Sequence, residues 1–275
     1  MGLFDWFAER RRRKILAQPF PTQWLDHIRE NVGYYAYLDG DERERLCRLV
    51  QVFVREKRWE GGGGLEIDDE IKVTIAAQAC VLILARGHRL YRGVKTIIVY
   101  ATTVLVPPPI QSVLHVPTDV APDSQAIYGQ AWLRGPVILV WDSVLRGGRD
   151  AAGGSNVVFH EFAHKLDMLD GAADGVPPLA HRRDYARWME VVEREYEQLG
   201  ERTTAGEPTM LGSYAHKNAA EFFAVATEHF FEQPVALLEN HPDLYGVLAD
   251  YYGQDTAARA WRLDAPPNQD WGYDF

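Results

Sequence analysis

Two histidines spaced four residues apart form the part of this sequence with the clearest chemical potential. Residues 160–164 read HEFAH, which is an HExxH pattern. On an α-helix, residues four apart lie one turn above each other, so both imidazoles can bind one metal ion. Glu161 lies beside that face, where its carboxylate can accept a proton from a water molecule activated by the metal. The pattern therefore predicts metal-assisted hydrolysis, with Zn²⁺ held by His160 and His164.

The residues around this motif predict the helix that it requires. Between residues 156 and 169 the apolar side chains fall on one side of a helical wheel: Val158, Phe162, Leu166 and Leu169. His160, His164 and Asp167 fall on the opposite side. One face is therefore expected in a core, and the other can hold a metal. A surface helix with two solvated histidines is the alternative.

A catalytic zinc ion commonly has a third protein ligand, and the same helix offers one candidate. Residues 160–170 read HExxHxxDxxD. A metzincin-type site needs glycine in place of Asp167, because the backbone must turn there to bring the last ligand round. Asp170 is therefore disfavoured as a ligand, and Asp170-Gly171 is typical of a helix end. Asp167 either contacts a metal ligand on the side away from the metal or is solvated.

A second candidate for the third ligand lies on a later predicted helix, residues 218–231. Glu221 and Glu228 share one face of it, and neighbouring phenylalanines indicate that the helix is substantially buried. A buried carboxylate needs a partner, and a zinc ion would be one. Asn218-x-x-Glu221 also resembles a capping box, so Glu221 could instead close the helix start. The residues favour Glu221 over Glu228 but leave both open.

The pattern along the rest of the chain predicts an α+β fold with a small mixed sheet. Helical patterns fill the first third, where Gly61–Gly64 lacks the Lys-Ser/Thr of a phosphate-binding loop and is interpreted as a flexible connector. Strands are predicted at 96–99, 126–133 and 137–141. Helices return after Gly154. The predicted units are a flexible segment (1–19), a helical subdomain (20–93), a catalytic domain (94–263) and a tail (264–275).

Composition excludes several classes of protein. The formal charge of −10 argues against general nucleic-acid binding, which depends on Lys and Arg neutralising phosphates. The longest apolar stretch, Thr74–Ala85, is too short to span a membrane. Cys47 and Cys80 fit two reduced thiols in a cytoplasmic protein. The aromatic and arginine-rich start could contact a membrane or a partner, although a frayed, solvated terminus is favoured.

Several segments resemble the Mlc titration factor A family of bacterial zinc peptidases, also called glucose-regulated metallopeptidases. The resemblance rests on HEFAHKLDMLDG (160–171), on AEFFAVATEHFFEQP (220–234) and on Tyr214 seven residues before Glu221. Further similar segments are GLEIDDEIKVTIAAQA (64–79), TIIVY (96–100) and GQAWLRGPVILVWDSVL (129–145). The resemblance implies a zincin-like catalytic domain of the gluzincin type, packed against the helical subdomain.

The resemblance also implies roles for individual residues. His160, His164 and Glu221 would hold one Zn²⁺ per chain, and Glu161 would be the general base. The spacing of Tyr214 and Glu221 also resembles the anthrax lethal factor catalytic domain, which implies that Tyr214 assists the oxyanion. A core tyrosine near a helix start is the alternative for Tyr214.

The expected function is a zinc peptidase acting on a peptide or protein substrate. The resemblance adds aminopeptidase activity and regulation of a sugar-responsive transcriptional repressor as expectations. An extended peptide could lie along Val137–Trp141 or its hairpin mate by strand addition. The alternative is a non-catalytic protein that sequesters a transcriptional repressor.

Overall fold

In the part of the chain that the structure describes, three short parallel strands form the sheet that supports the site. They are β1 (Arg58–Gly62), β2 (Thr96–Tyr100) and β3 (Val137–Val140), in the order β1-β2-β3. Trp59 pairs with Ile97, and Val99 pairs with Leu139. Parallel neighbours require a long crossover connection, and a buried helix supplies it between β1 and β2. The computed structural model describes residues 3–103 and 135–264.

Helices account for most of the described chain, which confirms the α+β class. The α-helices are α1 (Leu3–Leu16), α2 (Thr22–Asn31), α3 (Gly40–Glu56), α4 (Asp69–Leu82), α5 (Trp141–Arg149), α6 (Val157–Asp167), α7 (Arg182–Thr204), α8 (Ala219–Glu232), α9 (Pro234–Asn240), α10 (Pro242–Tyr252) and α11 (Thr256–Asp264). Short 3₁₀ helices are Gly33–Tyr37, His88–Tyr91, Met168–Asp170 and Ser213–His216. No helix in these described ranges has the length and apolar character needed to cross a bilayer.

Helix α4 is the central element of the fold. Asp68 caps its start by accepting a hydrogen bond from the backbone N–H of Ile71 at 2.9 Å. A helix that is apolar on all sides must be buried, and α4 is buried from Val73 to Leu82. It packs against α2, α3 and α6. The core is therefore continuous from the N-terminal helices to the HExxH helix.

The expectation that Gly61–Gly64 form a flexible connector is wrong for Gly61 and Gly62. Both belong to β1 rather than to a loop. A Cβ atom on Gly61 would lie 1.8 Å from the carbonyl oxygen of Leu65, and one on Gly62 would lie 2.3 Å from the Tyr100 ring. Glycine is needed here because other groups approach the strand closely.

The sheet also differs in two details from the expected one. We predicted a mixed sheet, but the described strands are all parallel. The predicted third strand extends to Trp141, whereas β3 ends at Val140 and Trp141 begins α5. The strand predicted at 126–133, which would be the hairpin mate of β3, lies outside the described residues. The part of the hairpin segment before residue 135 and the tail from residue 265 lie outside them as well.

Residues 3–16 form a helix where we expected a flexible segment. The Arg12 guanidinium makes two hydrogen bonds to the Glu56 carboxylate on α3, at 2.8 and 3.1 Å. Gln51 of α3 donates to the carbonyl oxygen of Gln18 at 2.8 Å, and Ile15 is buried. These contacts attach the second half of α1 to α3.

Candidate metal centre

Helix α6 carries the HExxH motif and begins at a well-formed cap. The side-chain oxygen of Asn156 accepts hydrogen bonds from the backbone N–H groups of Val158 and Phe159, both at 3.0 Å. Such capping satisfies donors that have no partner within the helix. The predicted helix at 156–169 is thereby confirmed, with observed limits Val157–Asp167.

The two faces of α6 are divided as the sequence predicts, with one exception. Val158, Phe162 and Leu166 are fully buried in the core. Leu169, which we assigned to the same face, is 36% exposed. The α-helix ends at Asp167 and a 3₁₀ turn follows, so the helical period no longer holds at Leu169.

Helix α8 carries the glutamate that faces the two histidines. Asn218 caps its start by accepting a hydrogen bond from the backbone N–H of Glu221 at 3.0 Å. The side chain of Glu221 turns toward α6, where its Oε2 lies 3.2 Å from His160 Nε2 and 3.3 Å from His164 Nε2. The capping function and the approach to the histidines thus use different atoms of the same residue.

The three donor atoms form a nearly equilateral triangle. The two Nε2 atoms of His160 and His164 lie 3.1 Å apart, which completes the triangle with Glu221 Oε2. Donor atoms held by a tetrahedral zinc ion at about 2.0–2.1 Å lie roughly 3.3–3.4 Å from one another. Two imidazoles and one glutamate also form a ligand set found in catalytic zinc sites. The donor atoms and their spacing therefore fit a zinc ion.

Glu228 lies behind His160 rather than among the three donors. Its Oε1 is 2.7 Å from His160 Nδ1, on the far side of the imidazole from Nε2. Its Oε2 accepts a hydrogen bond from the backbone N–H of Asn156 at 2.5 Å. A carboxylate on the second ring nitrogen fixes the tautomer and orientation of a metal-binding histidine. Between the two alternatives left open, Glu221 approaches the Nε2 atoms and Glu228 orients one of them.

The charges around His160 favour a cation at this place. Burial opposes the charged form of its imidazole, but hydrogen bonds and charge from Glu221 and Glu228 raise its pKa to about 10. The metal-free site therefore holds a proton, and with it a positive charge, between two carboxylates. A divalent cation that replaces this proton meets the same negative surroundings.

Two aspartates after the motif take different positions. Asp170 is exposed, and its Oδ1 accepts a hydrogen bond from the backbone N–H of Ala172 at 3.1 Å. Gly171 has φ of 102° and ends the 3₁₀ turn that continues α6, so the predicted stop of the helical segment at Asp170-Gly171 is confirmed. Asp167 is fully buried, which excludes the solvated alternative for this residue. Its burial raises its pKa to about 6.

Asp167 joins the end of α6 to the start of α8. Its Oδ2 accepts a hydrogen bond from the backbone N–H of Gly175 at 3.0 Å, and Trp188 Nε1 donates to the Gly175 carbonyl at 3.1 Å. Gly175 has φ of 77°, and a Cβ atom there would lie 2.3 Å from the carbonyl oxygen of Ala219. Ala219 is the first residue of α8, two positions before Glu221. This contact therefore helps to set the position of Glu221 relative to α6.

Tyr214 lies beside His160 and is partly open to solvent. Its ring centroid is 6.4 Å from that of His160, and the residue is 38% exposed. Tyr214 belongs to the 3₁₀ helix Ser213–His216. The hydroxyl of Tyr196 on α7 supports this helix by donating a hydrogen bond to the His216 carbonyl at 2.8 Å. Burial of the hydroxyl and the negative charge of Glu221 raise the pKa of Tyr214 above its usual range. Tyr214 therefore keeps its proton at neutral pH and can donate a hydrogen bond.

Glu161 is partly exposed on the side of α6 next to the histidines. Its negative charge is close enough to raise the pKa of Tyr214. One turn further, Lys165 donates to the carbonyl of Gly135 at 3.3 Å, which links α6 to the residues before β3. Burial lowers the pKa of Lys165, while the charge of Glu161 raises it. Glu161 therefore lies within electrostatic range of Tyr214, the other candidate catalytic side chain.

Comparison with known proteins identifies the family of this chain. The family described as glucose-regulated metallo-peptidase M90 matches residues 6–253. The chain belongs to this family. Membership in this family indicates a metallopeptidase role. Individual relatives also confirm the resemblance to the Mlc titration factor A family.

Relatives of this M90 protein cover nearly its whole length. An uncharacterized protein, slr2042, from Synechocystis sp. is 37% identical over 256 residues, which are 90% of this chain and 88% of that one. Mlc titration factor A from Yersinia pestis (strain Pestoides F) is 30% identical over 276 residues, covering 95% of both chains. The protein of the same name from Yersinia pseudotuberculosis serotype O:1b has the same identity and coverage.

Four further histidines of the M90 chain lie away from the donor triangle. The His216 ring packs on the Tyr196 ring. The Nδ1 atom of His229 lies 3.0 Å from Gln233 Oε1, and the Nδ1 atom of His241 lies 2.7 Å from Glu195 Oε2. His181 is exposed. Among the described residues, the group of three histidine and carboxylate donors with the spacing of a metal site is His160, His164 and Glu221.

Sequence reasoning named Glu228 without fixing its role, and it missed two other residues that support the site, Gly175 and Tyr196. Glu228, Gly175 and Tyr196 each contact a residue of the site or its support, but none belongs to a local motif. The seven-residue spacing of Glu221 and Glu228 on one helix face was the available signal for Glu228. No comparable local signal exists for Gly175, because its partners Asp167 and Ala219 lie on different helices.

Proposed function

We propose that this chain is a zinc-dependent peptidase of the gluzincin type. His160, His164 and Glu221 would hold one Zn²⁺ per chain. The single observation that carries the proposal is the triangle of donor atoms with sides of 3.1, 3.2 and 3.3 Å. Membership in a metallopeptidase family supports the same conclusion.

The surrounding side chains supply the remaining chemistry of peptide hydrolysis. When bound, zinc supplies Lewis acidity that makes water nucleophilic near neutral pH and polarises a carbonyl group. Glu161 accepts a proton as the water oxygen bonds to the scissile carbonyl carbon, and it passes a proton to the leaving amine as the C–N bond breaks. Tyr214 donates a hydrogen bond to the carbonyl oxygen as negative charge develops on it.

Zinc analysis and hydrolysis assays test this proposal directly. We expect about one zinc ion per purified chain, and we expect a chelator to abolish hydrolysis of a peptide and added zinc to restore it. Since zinc must replace the proton on His160, zinc affinity should rise as pH increases. A purified chain that binds no zinc, or that hydrolyses peptides equally well after chelation, would contradict the proposal.

The type of peptidase is a finer prediction with its own test. We propose aminopeptidase activity, acting on an extended peptide placed beside β3 by strand addition. A set of peptides with free and with acetylated N-termini distinguishes the two types. An aminopeptidase should release the first residue only from the free peptides, whereas an endopeptidase should cleave both sets at internal bonds.

A second candidate function is binding of a transcriptional repressor. The Yersinia relatives bear the name Mlc titration factor A, and their 30% identity extends over 95% of this chain. We propose that this chain binds a repressor of that kind, either together with peptidase activity or in place of it. Purified repressor should bind immobilised wild-type protein and also the His160→Ala variant. Capture by neither protein would remove this candidate, while capture without any peptidase activity would favour a non-catalytic binding protein.

Replacing Glu228 by Gln should weaken zinc binding by about 10- to 100-fold, as substitutions behind metal-binding histidines commonly do. Glutamine has one carbonyl oxygen, but Glu228 uses two oxygens, toward His160 Nδ1 and the Asn156 N–H. One of these donors therefore loses its acceptor. Competition with a chromophoric chelator measures the affinity. Glu239→Gln, at an exposed position on α9, is the matched control, and equal affinities for both variants would contradict the prediction.

Replacing Gly175 by Ala should destabilise the protein and weaken zinc binding. An added Cβ would meet the Ala219 carbonyl and displace the start of α8, which carries Glu221. Gly206→Ala is a matched control because Gly206 has a similar φ of 72° but nothing within 4 Å of a built Cβ. Both variants should lose stability through backbone strain, and only Gly175→Ala should also lose zinc affinity. Thermal unfolding and chelator competition separate the two effects.

A further inference from the structure

The outward face of α1 combines exposed aromatic rings with exposed cations. Trp6 and Phe7 are 44% and 54% exposed, and their rings form an edge-to-face pair with centroids 5.0 Å apart. Arg10, Arg13 and Lys14 follow and are also exposed. Within the described part of the chain, no carboxylate pairs with these three cations. We call the five residues the α1 face.

Contacts with α3 fix the orientation of α1 about its own axis. Arg11 donates to the Arg55 carbonyl at 3.0 Å, Arg12 pairs with Glu56, and Ile15 is buried. At about 100° per residue, Arg12 and Ile15 point to the side opposite Trp6, Arg10 and Arg13. The helix therefore uses one side to attach to the protein and leaves the α1 face to solvent.

We propose that the α1 face attaches the protein to the surface of anionic lipid bilayers. Aromatic side chains favour the level of the lipid headgroups, and Lys or Arg side chains beside them interact with lipid phosphates. At 1.5 Å per residue the cations follow the aromatic pair by about 5–12 Å along the helix. The five side chains also lie within about 120° of one another around the helix axis, so a helix lying in the plane of the interface presents all of them to the same lipid surface.

The charge distribution of the chain supports a specific orientation for this attachment. Residues 3–16 contain five cations and two carboxylates, although the whole chain has a formal charge of −10. An anionic surface therefore repels most of the molecule and attracts the α1 face. The exposed aromatic pair favours a lipid surface over an acidic protein, because a bilayer offers an apolar layer directly below its charges.

Cosedimentation of the full chain with vesicles tests this proposal. Binding to vesicles of phosphatidylcholine and phosphatidylglycerol is expected, with little binding to phosphatidylcholine alone. Each Lys or Arg near an anionic surface contributes about fivefold in affinity, so the double variant Arg10→Gln/Arg13→Gln should bind roughly 20- to 30-fold more weakly. Raising the salt to about 1 M, where the Debye length is about 3 Å, should also release the protein.

Two further variants distinguish attachment to lipid from attraction by charge alone. Trp6→Ser/Phe7→Ser should also bind anionic vesicles more weakly, because it removes the aromatic pair. Arg182→Gln/Arg183→Gln changes the net charge by the same amount as the Arg10/Arg13 variant, but on α7, and should bind like the wild type. Thermal unfolding should confirm that all variants are folded.

Three results would overturn the attachment to anionic lipid. Equal binding to neutral and anionic vesicles would remove the role of lipid charge. Wild-type binding by the Arg10/Arg13 variant would remove the role of the α1 face. Binding to heparin without binding to vesicles would indicate an acidic macromolecule instead of a bilayer.

Discussion

Replacing Glu161 by Gln is expected to lower kcat for peptide hydrolysis by about 10²- to 10⁴-fold, the usual contribution of a general base. Glutamine has nearly the same shape but cannot accept the proton from water. Because Glu161 is not among the three donors that face each other, zinc content and thermal stability should stay at wild-type values. Steady-state kinetics together with metal analysis of the same preparations measure both quantities.

The control for Glu161→Gln is a change of the same charge away from the site. Glu193 is exposed on α7, so Glu193→Gln should retain wild-type kcat and zinc content. Hydrolysis at the wild-type rate by zinc-loaded Glu161→Gln would show that another group accepts the proton. Loss of zinc in this variant would instead assign Glu161 to the metal site.

Replacing Tyr214 by Phe is expected to lower kcat by about 10²- to 10³-fold, as seen when one oxyanion donor is removed. The change deletes a hydroxyl and keeps the ring that lies 6.4 Å from His160. An interaction made with the developing charge changes kcat much more than KM. The two kinetic constants therefore distinguish this role from a contribution to substrate binding.

The structural alternative for Tyr214 gives a different set of results. A tyrosine that only supports the fold would lower the melting temperature on substitution and leave kcat of the folded enzyme unchanged. Tyr35→Phe, in the 3₁₀ helix between α2 and α3, is a matched control and should retain wild-type kcat. A wild-type kcat in Tyr214→Phe would contradict the proposed role.

Local patterns along the chain predict much of the site. The HExxH spacing, the apolar face of α6, and the capping residue Asn218 all act within one helical turn or along one helix. Such interactions depend on residues close in sequence, so periodicity and residue type suffice to predict them. The stop at Asp170-Gly171, where the 3₁₀ turn after α6 ends, was predictable for the same reason.

The mistaken or missing predictions concern contacts between distant residues. Gly61 and Gly62 have the composition of a linker, but the close approach of Leu65 and Tyr100 makes them part of a strand. The start of the chain has an arginine run typical of a solvated end, but Glu56 and Gln51 of α3 hold it as a helix. Tertiary contacts outweigh local preference in both places.

The sequence by itself determined which helix carries the chemistry and which residue types are available to it. The residue pattern left open whether Glu221 or Glu228 meets the histidines, because both lie on one face of α8, and it was the family resemblance that implied Glu221. Only the packing of α8 against α6 decided that Glu221 lies beside the two Nε2 atoms while Glu228 lies behind His160. The physical reason is that helical periodicity defines the direction of a side chain, whereas the displacement of one helix along another depends on contacts such as that between Gly175 and Ala219.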